Sequence, residues 1–110
     1  MREPTFWILT ALATGPRHGY GVIQEADRLS AGRVRLQAGT LYAALDRLAA
    51  EDLIELDREE VVDGRKRRYY RLTSWGASQL DEEAQRLKAS ARAATDQLAS
   101  RRRLGLALAW

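Results

Sequence analysis

The chain has 110 residues, 45% of them hydrophobic, and a formal net charge of only +3, enough for one hydrophobic core and a modest basic excess. Cysteine is absent and His18 is the single histidine, which excludes disulfides, thiolate metal sites, zinc clusters and thiol nucleophiles and leaves little for a catalytic triad. No cofactor and no enzymatic activity are expected, and because the apolar stretch from Phe6 to Ala13 is far shorter than the ~20 residues of a spanning helix, a soluble cytoplasmic protein without a membrane partner is expected.

From Thr5 to about Thr14, Phe6, Leu9, Leu12 and Ala13 recur at helical spacing while Trp7 and Ala11 form a second stripe, so the first helix is expected to be covered on two sides. Gly15-Pro16 ends it. His18-Gly19-Tyr20-Gly21 then opens a second helix with Val22, Ile23, Ala26 and Leu29 as apolar positions and Gly32 near its C-terminal cap. Each glycine of that opening would cost roughly 0.8 to 1 kcal/mol inside a helix relative to alanine, which points to a close backbone approach or a tight turn. For His18, helix capping or a buried hydrogen bond is favoured over a ligand or catalytic role. Arg33-Val34-Arg35-Leu36 alternates charged and apolar residues, the pattern of a short half-buried strand.

A third helix is expected from about Thr40 to Glu51, with Leu41, Leu45 and Leu48 as its buried stripe. Its exposed face carries Thr40, Tyr42, Ala43 and Arg47, with Gln37 and Gly39 at its entrance, groups suited to base edges and phosphates. That is the pattern of a DNA-recognition helix. Tyr42 also suits core packing, and Tyr20 is open between backbone packing and a phosphate contact. Leu53-Ile54-Glu55-Leu56 reads as a strand, Asp63-Gly64 as a hairpin turn, and Arg68-Tyr69-Tyr70-Arg71-Leu72 as the returning strand. With Ile54 and Leu56 inward, Tyr70 and Leu72 also point inward. Arg65, Lys66, Arg67 and Arg68 form a basic wing for phosphates, the plainer alternative being a solvated charged hairpin.

Thr73 suits the N-cap of a last helix starting at Ser74. Leu80, Ala84, Leu87, Ala91, Ala94 and Leu98 follow steps of four and three, the seam spacing of a bundle. A helix of about 30 residues spans about 45 Å, longer than a small domain is wide, so this stripe, joined by Phe6 and Trp7, is expected to meet a second copy in a homodimer. Asp81-Glu82-Glu83 complements the helix macrodipole and does not make a metal site. Beyond Arg101-Arg102-Arg103 two placements are open, a continued helix docked on the partner's first helix or a tail ordered only in the dimer; Gly105 weighs against the helix. The whole reads as a mainly α fold with a small β-hairpin: a winged helix-turn-helix over residues 1–73 and a dimerisation helix over 74–110.

His18-Gly19-Tyr20-Gly21, Gly39-Thr40-Leu41-Tyr42, the continuation Leu45-x-x-Leu48 into Leu53-Ile54, and Arg68-Tyr69-Tyr70-Arg71-Leu72-Thr73 with Gly76 together resemble the PadR family of bacterial transcriptional regulators in order and spacing. The resemblance covers roughly residues 5 to 80. It implies a homodimeric winged-helix repressor whose third helix enters the major groove of double-stranded DNA, with the short C-terminal part similar to the compact subfamily. Three positions depart from the family pattern: Ala43 stands where proline usually follows the tyrosine, Asp52 where glycine caps the third helix, and Trp75 where a charged residue is usual.

Family members often answer to phenolic acids, drugs or other planar compounds, so the resemblance also implies a small-molecule effector, for which Trp7 and Trp110 are the candidate flanking residues. The competing reading is a winged-helix protein-interaction module without DNA binding, against which the basic wing speaks.

Overall fold

The computed structural model describes residues 1–106. Four helices and three strands follow in the order α1 (Glu3–Leu12), β1 (Arg17–His18), α2 (Gly19–Leu29), α3 (Ala38–Ala50), β2 (Ile54–Val62), β3 (Arg65–Leu72) and α4 (Ser74–Arg103). The chain divides into two compact units, Met1–Leu80 and Asp81–Trp110. In the first, α1 supplies Ile8, Leu9, Ala11 and Leu12 to a core completed by Val22, Leu41, Leu45, Leu48, Ile54 and Tyr70. The 41-45-48 spacing puts one stripe of α3 inward, as the periodicity requires. Truncating a fully buried leucine such as Leu45 to alanine costs about 2–5 kcal/mol in such a setting.

The sheet has the order β1-β3-β2, and its third strand corrects the sequence reading. Arg33–Leu36 alternates as a strand would, yet it forms a linker between α2 and α3 with no ladder partner. The strand that does pair is Arg17–His18, antiparallel to Tyr69 and Tyr70 of β3. Alternation marks a half-buried extended segment, and only a neighbouring free edge turns it into a strand. A second correction concerns Leu56. It faces Tyr70 across the ladder but is 47% exposed, because the strand runs past the rim of the core and the register shifts between Leu56 and Arg58, leaving Asp57 as the bulged residue. In α1 the buried face is Thr5, Ile8, Leu9, Ala11 and Leu12, with Ala13 exposed beyond the last turn.

Two helix ends use non-glycine residues in the left-handed region. Ala31 has φ 54° and Asp52 φ 60°. After α2, Gly32 N–H donates to Asp27 O at 2.8 Å and Ala31 N–H to Arg28 O at 3.2 Å; after α3, Leu53 N–H donates to Leu48 O at 3.0 Å and Asp52 N–H to Ala49 O at 3.1 Å. Both are Schellman caps. A third closes α4, where Leu106 N–H reaches Arg101 O at 3.2 Å and Gly105 adopts φ 69°. The last helix therefore stops at Arg103.

Thr73 fastens the start of α4 to the α3–β2 corner. Its Oγ1 accepts the Gly76 N–H at 2.9 Å, the expected N-cap bond, and donates to Asp52 O at 2.6 Å. Gly76 is buried there because a β-carbon would stand 2.0 Å from the Leu53 carbonyl oxygen. Trp75 is exposed beside it, so packing at the helix start does not account for a tryptophan at this position.

Within the second unit the apolar row Ala84, Leu87, Ala91, Ala94 and Leu98 is exposed along α4. Leu80, its first member, is half-buried against the core of the first unit. Phe6 and Trp7 are also half-buried, their rings edge to face at 5.2 Å.

Candidate nucleic-acid interface

The exposed side of α3 is built from small and polar residues because its leucines take the inner stripe. Gln37, Gly39, Thr40, Tyr42, Ala43 and Arg47 are all exposed. Gln37 is the N-cap residue but its side chain makes no capping bond, so the first amides of the helix face outward without a side-chain acceptor. Thr40 Oγ1 donates back to Gln37 O at 3.3 Å, and nothing lies within 4 Å of a β-carbon built on Gly39, so the entrance of α3 is sterically open. Arg47 is turned elsewhere. Its Nη2 donates to Thr5 Oγ1 of α1 at 3.3 Å, and its Nη1 lies 3.7 Å from Glu51 Oε2.

Tyr42 joins α3 to α2. Its phenol ring lies over Gly19, where a β-carbon would meet Cε1 at 2.9 Å, while the ring remains 56% exposed. The glycine at the start of α2 therefore serves a close approach, one of the two roles its sequence context allows. Tyr20, the next residue, is 61% exposed. His18, on the other side, caps α2 by accepting the Gly21 N–H on Nδ1 at 3.3 Å. The same ring meets Tyr69 of β3 edge-on at 5.2 Å. Burial, and then the positive charge of Arg67, hold the His18 imidazole below its ordinary pKa, with Glu60 acting in the opposite sense. A neutral imidazole is what the capping bond needs. A run of neighbours, Tyr42 on Gly19, His18 against Tyr69 and Arg67 within electrostatic reach of His18, thus connects α3 to the wing.

The wing is a hairpin closed by Asp63 (φ 52°) and Gly64 (φ 75°), both in the region a type I′ turn demands. That turn sets Val62 opposite Arg65, Glu60 opposite Arg67 and Glu59 opposite Arg68. Tyr70 and Leu72 face the core, so Lys66 and Arg68 share their side of the sheet and Arg65, Arg67 and Tyr69 take the other. All four basic residues Arg65–Arg68 are exposed. Their surroundings differ from what a basic run implies. Arg68 Nε lies 3.3 Å from Glu59 Oε1; Arg71 is held by Glu55 at 2.8 Å and Asp57 at 3.0 Å; Arg58 is held by Glu60 at 2.8 Å and Asp57 at 2.9 Å while lying 4.0 Å from the centre of the Tyr69 ring. Hydrogen bonds from Arg58 hold both the Glu60 and Asp57 carboxyls below the usual carboxylate range. Arg65, Lys66 and Arg67 have no ion pair within 4 Å among the described residues.

The acidic strand opposite the cations and the platform of Arg58 on Tyr69 escaped the sequence reading. The signal was available in the turn: a two-residue loop at Asp63-Gly64 pairs residues equidistant from it, which sets the glutamates against the arginines. Trp110 lies outside the described residues. Among those described, no helix is long and apolar enough to cross a membrane, and no three His, Cys, Asp or Glu side chains are grouped to hold a metal ion.

The model of the transcriptional regulator PadR-like family matches residues 8–82, from the core of α1 through the wing and into α4. The chain belongs to the PadR-like family of transcriptional regulators. This PadR-like chain is 41% identical over 85 residues to the transcriptional regulator Rv3488 of Mycobacterium tuberculosis, covering 77% of the chain and 76% of the relative. An uncharacterized protein of Lysinibacillus sphaericus is 37% identical over 75 residues, 68% of this chain and 69% of that one. Among solved structures, the PadR-like transcriptional regulator BC4206 of Bacillus cereus superposes with a TM-score of 0.69 at 26% identity, covering 86% of this chain and 90% of the other. Bacillus subtilis PadR in complex with operator DNA superposes with a TM-score of 0.68 at 21% identity, covering 76% of this chain but only 47% of that larger protein. The PadR-like winged-helix fold inferred from the tetrapeptide motifs is therefore the fold observed.

Proposed function

We propose that this PadR-like regulator is a homodimeric repressor that binds a roughly palindromic duplex operator in the cytoplasm and is released by a small planar or hydrophobic ligand. Residues 1–73 make up the DNA-binding part, and the part from residue 74 to 110, whose helix α4 ends at Arg103, serves dimerisation. The reading is carried by the run of contacts from Tyr42 over Gly19 and from His18 to Tyr69, with Arg67 near enough for its charge to act on the His18 ring, which supports a shared DNA-facing side for α3 and the wing. A duplex lying there would receive Gln37, Gly39, Thr40, Tyr42 and Ala43 in its major groove and Arg65, Lys66 and Arg67 on its phosphates, with Tyr20 at the backbone. The operator complex of the Bacillus subtilis relative supports DNA as the partner.

Dimerisation is supported by the exposed row Ala84, Leu87, Ala91, Ala94 and Leu98, whose burial against a second copy would remove apolar surface from water. Phe6 and Trp7 are further interface residues in this reading, and Trp7 and Trp110 are the candidates to flank the ligand. Two copies place their α3 helices in successive major grooves about 34–36 Å apart.

The test is binding to DNA upstream of the protein's own gene across a salt series, in wild type and with Arg65, Lys66, Arg67 and Arg68 neutralised. Steep salt dependence that flattens in the variant is expected. Equal, weak binding by both proteins would refute the repressor reading in favour of a protein-interaction module. Sedimentation at micromolar concentration is expected to give a dimer, and planar aromatic compounds that release the DNA are expected to quench tryptophan fluorescence.

A further inference from the structure

The hairpin from Ile54 to Leu72 carries six cations and five carboxylates, and their arrangement is graded. At its base every arginine is held: Arg71 by Glu55 and Asp57, Arg58 by Asp57 and Glu60, Arg68 by Glu59. At its tip Arg65, Lys66 and Arg67 stand opposite Val62, Val61 and Glu60, and of these Arg67 alone faces a carboxylate, one already bonded to Arg58. Val61 beside them is exposed. A phosphate approaching the base of the wing must displace a glutamate that stays tethered to the neighbouring strand, leaving like charges side by side.

We propose that Glu59 and Glu60 are specificity-determining residues, which confine the wing's phosphate contacts to the three cations at its tip and so hold down binding to arbitrary duplex. The inference rests on the DNA-binding reading above. Phosphate attraction carries no sequence information. Each cation withheld from the backbone therefore weakens non-specific binding and leaves base reading by α3 a larger share of the discrimination. The acidic strand restrains affinity in favour of selectivity.

The full-length protein, titrated by anisotropy against a labelled duplex of shuffled sequence over a salt series, tests this. E59Q/E60Q is expected to bind roughly three- to tenfold more tightly, with a log–log salt slope steeper by about 1 to 2, as one or two further phosphate contacts require. Single substitutions give an internal contrast: Arg67→Gln flattens the wild-type slope by about 1, whereas Arg68→Gln, which removes a cation held by Glu59, leaves it unchanged. If E59Q/E60Q lost its fold by circular dichroism, equal flattening by Arg67→Gln and by Arg68→Gln, the arginine Glu59 holds, would overturn the inference on its own. Steep salt dependence in wild type with an unaltered slope and affinity in E59Q/E60Q overturns this inference and leaves the DNA reading standing. Wild type with no salt-dependent binding overturns both.

Discussion

The phenol ring of Tyr42 occupies the space that a side chain on Gly19 would need, with Cε1, Cζ and Oη at 2.9 to 3.0 Å from a β-carbon placed there. The start of α2 therefore sets the posture of the most exposed aromatic on α3. Gly19→Ala is expected to displace the ring and not to break the fold, because the obstructing atoms are the outer end of a half-exposed side chain. Thermal stability should change by less than about 1 kcal/mol, while affinity for operator DNA falls as Tyr42 leaves its position. Melting curves and anisotropy on the same sample separate the two effects; a large loss of stability with unchanged affinity would contradict this view of the pair.

Gly76→Ala makes the opposite case. There the obstructing atom is the backbone oxygen of Leu53 at 2.0 Å, held in place by the Schellman cap of α3 and by Thr73. Backbone cannot swing aside, so the variant is expected to lose about 3 kcal/mol or more. Chemical denaturation of the two glycine variants side by side measures the difference.

Ala31 and Asp52 hold helix-terminating positions at φ 54° and 60°, where an L side chain costs about 1–2 kcal/mol. Ala31→Gly and Asp52→Gly are each expected to stabilise the protein by about 0.5–1 kcal/mol, the relief being offset in part by the greater backbone entropy of glycine when unfolded. The midpoint of denaturation should rise for each without a change in slope. Asp52 is also one of the departures from the family pattern, and its left-handed backbone explains why glycine is usual there.

His18 makes stability depend on pH in the near-neutral range. Its Nδ1 accepts the Gly21 amide only when the ring is neutral, and its folded pKa lies below the ordinary value of about 6.5. The unfolded chain thus takes up the proton first. The stabilisation is complete above about pH 6.5 and is lost as pH falls from there through the lowered folded value. His18→Asn, which keeps an N-cap acceptor without titrating, is expected to flatten the melting temperature between pH 7 and pH 5. The depressed carboxyls of Asp57 and Glu60 act in a separate window, contributing above the ordinary carboxylate range of about 4 and losing that contribution as pH falls through their lower folded values.

Much of the fold was legible in local pattern. The 41-45-48 stripe, the Asp63-Gly64 turn, Thr73 as an N-cap, His18 as a capping residue and the start of α4 at Ser74 each follow from a periodicity or a side-chain bond spanning at most a few residues, and such features survive in any tertiary setting that permits them. Segment bounds moved by two residues or so, as with α3, which begins at Ala38 and not Thr40.

Other features depended on parts of the chain far apart in sequence. Which extended segment became the third strand was decided by the free edge of β3, which lies beside Arg17 and not beside Val34. The real charge of the wing was decided by register, which set Glu59 against Arg68 and left the hairpin's cations half paired, with three free at its tip. The turning of Arg47 toward Thr5 and the seating of Tyr42 on Gly19 came from helix packing. Helical and turn propensities are properties of neighbouring residues, whereas strand partners, ion pairs and close approaches are set only when distant segments meet around a shared core.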